Sequence, residues 1–183
     1  MAELRVSQDP AYFRRQGVLA RFRLTPWRFK WFMALYPPLL VNGVRALRVA
    51  PTYQHVRVKL AKTWLNTNFN GSIFGGTLAA AFDPWLGVMY WQILNHRGVH
   101  ALVVNLSLKV EFKRPALTSV WMDFTVTDAE VEAALASLAE RGKYVVPYTV
   151  QALDRQGTCI AQAEVVLHIR TRQATQPTAG ISF

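Results

Sequence analysis

Residues Asn66 to Asp83 read NTNFNGSIFGGTLAAAFD. Three asparagines alternate with Thr67 and Phe69, a composition suited to a tight loop, because Asn and Gly tolerate left-handed backbone and Asn closes Asx-turns. Gly75 and Gly76 then open an Ala- and Leu-rich run that predicts a long helix from about Ile73 to Asn95. That run carries one carboxylate, Asp83. An acid inside an apolar helix must find a partner, shift its pKa or do chemistry. Pro84 follows directly, and Asp before Pro is also a good capping pair, so a capping role and a chemical role are both open to Asp83.

Strands flank this helix. Val44 to Val49, closed by Pro51, and Val56, Val58 and Leu60, alternating with Arg57 and Lys59, precede it. His100 to Phe112 is the longest strand signal: Leu102, Val104, Leu106, Leu108, Val110 and Phe112 are expected on one face, with Asn105, Ser107, Lys109 and Glu111 on the other. Val120 to Val126 alternates again. Ala129 to Arg141 reads as an amphipathic helix that Gly142 can end. Two further strands, Tyr144 to Leu153 and Thr158 to Ile169, flank the turn Asp154-Arg155-Gln156-Gly157. A long apolar helix beside an antiparallel sheet predicts an α+β architecture, the sheet curling around the helix.

Upstream, residues from about 10 to 48 read as helices broken by proline. Thr25 and Pro26 suit a helix start, Trp27, Trp31, Phe32 and Leu35 recur at helical spacing with Arg28 and Lys30 between them, and Pro37-Pro38 ends the run. Such a basic aromatic helix can lie on a membrane or pack over a sheet. The formal charge of +10 belongs to this end: residues 1–62 hold 12 Lys/Arg and 2 Asp/Glu, whereas residues 63–183 hold 9 of each. The expected organisation is a basic helical extension (1–43), one α+β domain (44–170) and a tail (171–183).

Composition narrows the class. The chain has 183 residues, 51% hydrophobic and 17% charged, enough for one domain with a core and unlike a disordered chain. Its most apolar stretch, Ile73 to Leu94, is interrupted by Asp83, Pro84 and Gln92 and is expected to be buried in protein rather than in lipid. The single Cys159 fits a reducing compartment, and with no secretory signal in view a cytoplasmic protein is expected. No His or Cys pair has metal-ligand spacing, so neither a metal nor another cofactor is expected, and no nucleic-acid motif accompanies the positive charge.

With these elements in hand, the chain resembles the hotdog-fold superfamily, and within it acyl-CoA thioesterase-like proteins. The segment NFNGSIFGGTLAAAFD is similar to the Asn, Gly, His-Gly-Gly, Asp pattern of the phenylacetate-pathway type of thioesterase. Asn68 falls on its Asn, Asp83 on its catalytic acid, and Phe74 stands where that pattern has His. VEFKRPA, Val110 to Ala116, resembles the strand that ends in an Arg-Pro-Ala turn in these enzymes. The resemblance implies a homodimer, often paired into a tetramer, with active sites between subunits and an acyl-CoA or acyl-carrier-protein thioester as substrate.

Thioester hydrolysis needs donors for the oxyanion and a base or nucleophile. The candidate catalytic residues are therefore Gly75 and Gly76, whose amides would lie at a helix N-terminus, together with Asn68 and Asp83, the acid coming from the partner subunit. Candidate substrate-binding residues are Asn70 and Phe74 in the loop, and Lys113 and Arg114, which could meet the phosphates of coenzyme A. Loop shaping by Asx-turns is open to Asn68 and Asn70, helix packing to the glycines, and solvation to the two cations. A non-catalytic acyl-CoA or lipid binder, with peripheral membrane contact through the N-terminal helix, is the alternative that Phe74 favours.

Overall fold

The computed structural model describes residues 23–171; the helical turns expected before residue 23 and nearly all of the expected tail lie outside the described residues. Thr25 is extended and its Oγ1 accepts the Arg28 amide at 3.4 Å, so Pro26 opens helix α1 (Pro26–Leu35). Pro37 and Pro38 end it and start the short helix α2 (Pro37–Val41). Strands β1 (Val44–Val49) and β2 (His55–Leu60) follow, then a 3-10 turn at Trp64–Asn66. The apolar run forms α3 (Gly75–Phe82) and α4 (Trp85–His96). Strands β3 (Ala101–Phe112) and β4 (Val120–Thr125), helix α5 (Asp128–Arg141), and strands β5 (Lys143–Leu153) and β6 (Cys159–Thr171) complete the order.

The six strands make one antiparallel sheet in the order β1-β2-β4-β5-β6-β3, and α3 and α4 share a single core with it. Phe82, Trp85, Leu86, Met89 and Tyr90 are fully buried on the helix, as are Val58, Met122, Phe124, Val165 and Leu167 on the strands. Each such side chain contributes about 1.5–3 kcal/mol by leaving water. Ala152, Ala161 and Ala163, also fully buried, leave the helix room to approach. The β1 edge of the sheet is covered by α1, where Lys30 Nζ donates to the Leu47 carbonyl at 2.9 Å and Phe29 packs edge-on against Tyr53. The β3 edge, 12 residues long, pairs only with β6.

The expected long central helix is present from Gly75 to His96, with a break in its hydrogen-bond ladder at Asp83-Pro84, where both residues keep helical dihedrals. Pro84 has no amide hydrogen to give to the Ala80 carbonyl four residues back, and around this break side chains donate to two other carbonyls. Trp85 Nε1 donates to the Ala81 carbonyl at 2.9 Å, and Asn105 Nδ2 donates to the Asp83 carbonyl at 2.7 Å. Pro84 occupies the N-cap position of α4 without a side-chain cap bond, and the Asp83 carboxylate bonds Asn105 rather than a helix amide.

One expectation, the single apolar face of β3, needs correction. Between Asn105 and Ser107 the register against β6 slips by one, so Leu106 is the extra residue of a β-bulge. Before the bulge Val103 packs on the core and Asn105 reaches Asp83; after it Leu108, Val110 and Phe112 face the helix. Leu102 is buried but lies outside the main core. The expected single face of even-numbered residues is thus split, because one added residue inverts every side chain beyond it.

Helix α5 carries a full capping box, with Thr127 Oγ1 accepting the Glu130 amide and Glu130 Oε2 accepting the Thr127 amide. It ends at Gly142, whose φ of 67° only glycine adopts without cost.

His168 on β6 is 8% exposed, and its Nδ1 has no partner among the described residues. Burial, with Arg170 and Lys143 nearby, holds its imidazole below the ordinary histidine range. The folded chain takes up a proton on this ring less readily than the unfolded chain, which does so as pH falls below about 6.5. Stability therefore falls as pH drops through that window, by at most about 1.4 kcal/mol per pH unit for one proton. Melting curves from pH 7.5 to 5.5 should show a shallower pH dependence in His168→Gln than in the wild type; equal slopes would contradict this assignment.

Candidate functional site

The loop before α3 is built by its own asparagines. Thr67 and Ile73 form an isolated antiparallel bridge. Asn68 Oδ1 accepts the amides of Asn70 at 3.0 Å and Ser72 at 3.1 Å, and Asn68 Nδ2 lies 2.9 Å from Ser72 Oγ. All the hydrogen bonds of the Asn68 side chain thus stay inside the loop. Asn70 sits exposed beside the fully exposed Phe69. Asn66 is the anchor that sequence reading did not single out: its Nδ2 donates to the carbonyls of Asn42 (3.0 Å) and Ala61 (2.8 Å), and its Oδ1 accepts the Thr63 amide. Polar atoms this deeply buried require such partners, and they fix the loop to the ends of α2 and β2.

The loop delivers the chain to the start of α3. The Phe74 amide donates to the Asn66 carbonyl, and the Ile73 amide donates to Ala116 in the turn after β3, so the two segments that carry the resemblance touch. In the first turn of α3 the Thr77 and Leu78 amides donate to the Phe74 carbonyl. The Gly75 and Gly76 amides have no acceptor among the described residues. Such orphan N–H groups at a helix N-terminus attract anionic oxygen.

Two aromatic rings frame these amides and explain the glycine pair. A Cβ on Gly75 would lie 3.2 Å from Phe112 Cζ, and one on Gly76 would lie 2.5 Å from Phe74 Cε1. Phe74 and Phe112 remain 58% and 55% exposed, so the helix mouth is apolar and open.

Asp83 lies on the exposed side of the helix break, its carboxylate accepting Asn105 Nδ2 at 2.9 Å. The same amide group holds the Asp83 carbonyl, so one side chain from β3 orients both the backbone and the acid. Asn105 is the second residue that sequence reading missed; strand alternation placed it on the far face, and only the bulge turns it inward. Asp83 follows Gly76 by seven residues, roughly 10 Å along the helix axis. Within one chain, therefore, the acid and the free amides stand apart.

Lys113 and Arg114 leave β3 directly after Phe112. Lys113 Nζ pairs with Glu111 at 2.6 Å, and Lys113 together with Lys109 holds the Glu111 carboxyl below its usual range. Arg114 donates to the Cys159 carbonyl at 3.0 Å. Deeper in the core, the hydroxyls of Tyr90 and Tyr148 meet at 2.7 Å, and burial pushes both far above the ordinary tyrosine range. On the outer face of the sheet, where β4 and β5 pair only at Trp121–Leu153 and Met122–Ala152, a groove of about 610 Å³ opens beside Trp121, Asp123 and Arg155. Among the described residues no group of three or more His, Cys, Asp and Glu is arranged to hold a metal ion.

Comparison with known proteins bears on this geometry. No curated protein matches the sequence. A protein of unknown function from Pseudomonas aeruginosa, PA5026, described as a probable thioesterase, matches with a TM-score of 0.75 at 18% identity, over 83% of this chain and 99% of its own. A thioesterase from Haemophilus influenzae, HI1161, matches with a TM-score of 0.61 at 11% identity, covering 82% of this chain and 94% of its own. The PaaI protein of the phenylacetic acid degradation operon of E. coli matches at 0.50 and 17% identity, over 72% of this chain and 87% of its own. At these identities the likeness establishes the fold: a helix against a curved antiparallel sheet, the hotdog fold. The profile of a domain of unknown function, DUF4442, matches residues 25–169, most of the chain, and this protein belongs to that family.

Proposed function

We propose that this protein hydrolyses acyl thioesters at a site shared by two copies of the chain. The observation that carries the reading is the pair of unpartnered amides, Gly75 and Gly76, between the rings of Phe74 and Phe112. They would hold the thioester carbonyl oxygen and strengthen their hold as negative charge develops on it. The rings would receive the acyl chain. Asp83 from a second copy would complete the site, since roughly 10 Å separates it from the amides of its own helix. The long β3 edge supports such pairing, because an open edge of this length is a template for another strand.

In this mechanism Asp83 takes a proton from water as the water oxygen attacks the carbonyl carbon. The tetrahedral intermediate then collapses, the carbon–sulfur bond breaks, and the Asp83 carboxylic acid returns the proton to the departing sulfur. Asn105 positions the carboxylate without touching substrate. Asn68 shapes the loop that presents Asn70 and Phe74. Lys113, exchanging Glu111 for a phosphate oxygen, and Arg114 would meet the carrier portion of the substrate beyond Phe112. The thioesterase descriptions of structural relatives support the reaction class. A binding-only role is the second reading, favoured by the Phe74 ring lying over Gly76.

A panel of acyl-CoA esters tests both. Turnover by the wild type should fall about 10²–10⁴-fold in Asp83→Asn, with the melting temperature retained. Saturable acyl-CoA binding without turnover would instead select the second reading. Asn105→Ala should lower kcat about tenfold and leave KM nearly unchanged, because it loosens the base rather than the substrate. A larger effect on KM than on kcat would assign Asn105 to substrate binding.

A further inference from the structure

Helix α1 has two apolar faces, and the domain uses one of them. Phe29 and Met33 are buried against the core, at 0% and 2% exposure. On the opposite side Trp27, Trp31 and Leu35 follow at intervals of four and stay 68%, 51% and 64% exposed. The two indoles contact only edge to face, with ring centroids 6.2 Å apart. Further large apolar side chains are exposed on neighbouring elements. Leu40 on α2 is 56% exposed, and Trp64 in the 3-10 turn is 85% exposed. Asn66 ties that turn to the end of α2 through the Asn42 carbonyl, and Asn42 Oδ1 accepts the Thr77 hydroxyl from the first turn of α3. One hydrogen-bonded unit therefore links the exposed face to the mouth of the candidate site.

Charge identifies what suits this face. From residue 23 to residue 82 the chain holds eight Lys/Arg and no Asp or Glu. Arg28 on α1, and Arg45 and Arg48 on the strand along which α1 packs, are exposed and have no ion-pair partner among the described residues. A symmetric contact between two copies through this face would set like charges against like, with no acid nearby to neutralise them. An anionic lipid surface reverses that balance: headgroups take the arginines, and indole rings settle at the boundary between headgroup and acyl chain. At ten residues α1 is too short to cross a bilayer, so any contact it makes with one lies at the surface.

We propose that the face formed by α1, α2 and the Trp64 turn docks this protein on an anionic membrane surface. The inference is independent of catalysis, and its test contains no thioester. The full chain is sedimented with vesicles of phosphatidylcholine alone or mixed with phosphatidylglycerol. The mixed vesicles should carry the protein down, pure phosphatidylcholine should bind at least about tenfold more weakly, and raising salt from about 50 to 500 mM should release it. Brominated lipid should quench the wild-type tryptophan fluorescence. Trp27→Ser/Trp31→Ser should lose about tenfold or more in binding, and Arg28→Glu/Arg45→Glu, which leaves the packing face of α1 untouched, should lose the anionic preference. No sedimentation with the mixed vesicles at low salt would overturn the proposal. So would wild-type binding by both variants, or light scattering that shows the tryptophan variant in a smaller oligomer than the wild type, which would make the stripe a contact between protein copies.

Discussion

The hydrogen bonds from Asn105 on β3 to Asp83, at the break in the central helix, tie helix to sheet in this protein. The break frees backbone carbonyls from the helical ladder, and side-chain donors take up two of them. Trp85 answers from within the helix, and Asn105 answers from β3. The second answer fixes where β3 stands against the helix. Phe112 then falls beside Gly75 and Val103 beside Gly87, so helix and strand run past each other in one defined register. The bulge at Leu106 makes this register workable, because it faces Asn105 inward and still lets the later half of the strand present Leu108, Val110 and Phe112 to the core.

The candidate site inherits its geometry from that arrangement. Asp83 is exposed because the helix breaks there, and it is oriented because the residue that repairs the break also binds its carboxylate. The glycine pair leaves room for two rings, and those rings form an apolar mouth around two free amides. The same residues thus satisfy packing requirements and create a place where a carbonyl oxygen could be stabilised. Phe74 gives this mouth a different character from the His-Gly-Gly pattern that it resembles: it contributes a wall rather than a polar group.

Much of the fold was legible in the sequence. Every strand expected over residues 44–170 is present, the hairpin turn at Asp154–Gly157 falls where expected, and Gly142 ends α5 with positive φ. These features depend on local rules of alternation, proline, glycine and capping, which act within a few residues. The loop from Asn66 to Ser72 was legible as a loop, yet the division of labour among its asparagines was not. Asn66 and Asn68 are the same residue type two positions apart, and only their surroundings make one an anchor and the other a brace.

By itself the sequence determined the order of helices and strands, the apolar character of the central helix and the concentration of positive charge at the N-terminal end. These follow from the chemistry of single residues and their nearest neighbours. The tertiary structure decided which face of β3 meets the helix, that Asp83 is held by Asn105 rather than used as a cap, and that Trp27 and Trp31 point outward while Phe29 and Met33 point in. Each of those outcomes turns on a pairing between segments far apart in the chain. A bulge of one residue, or the choice between two apolar faces of one helix, is settled only when the distant partner is in place.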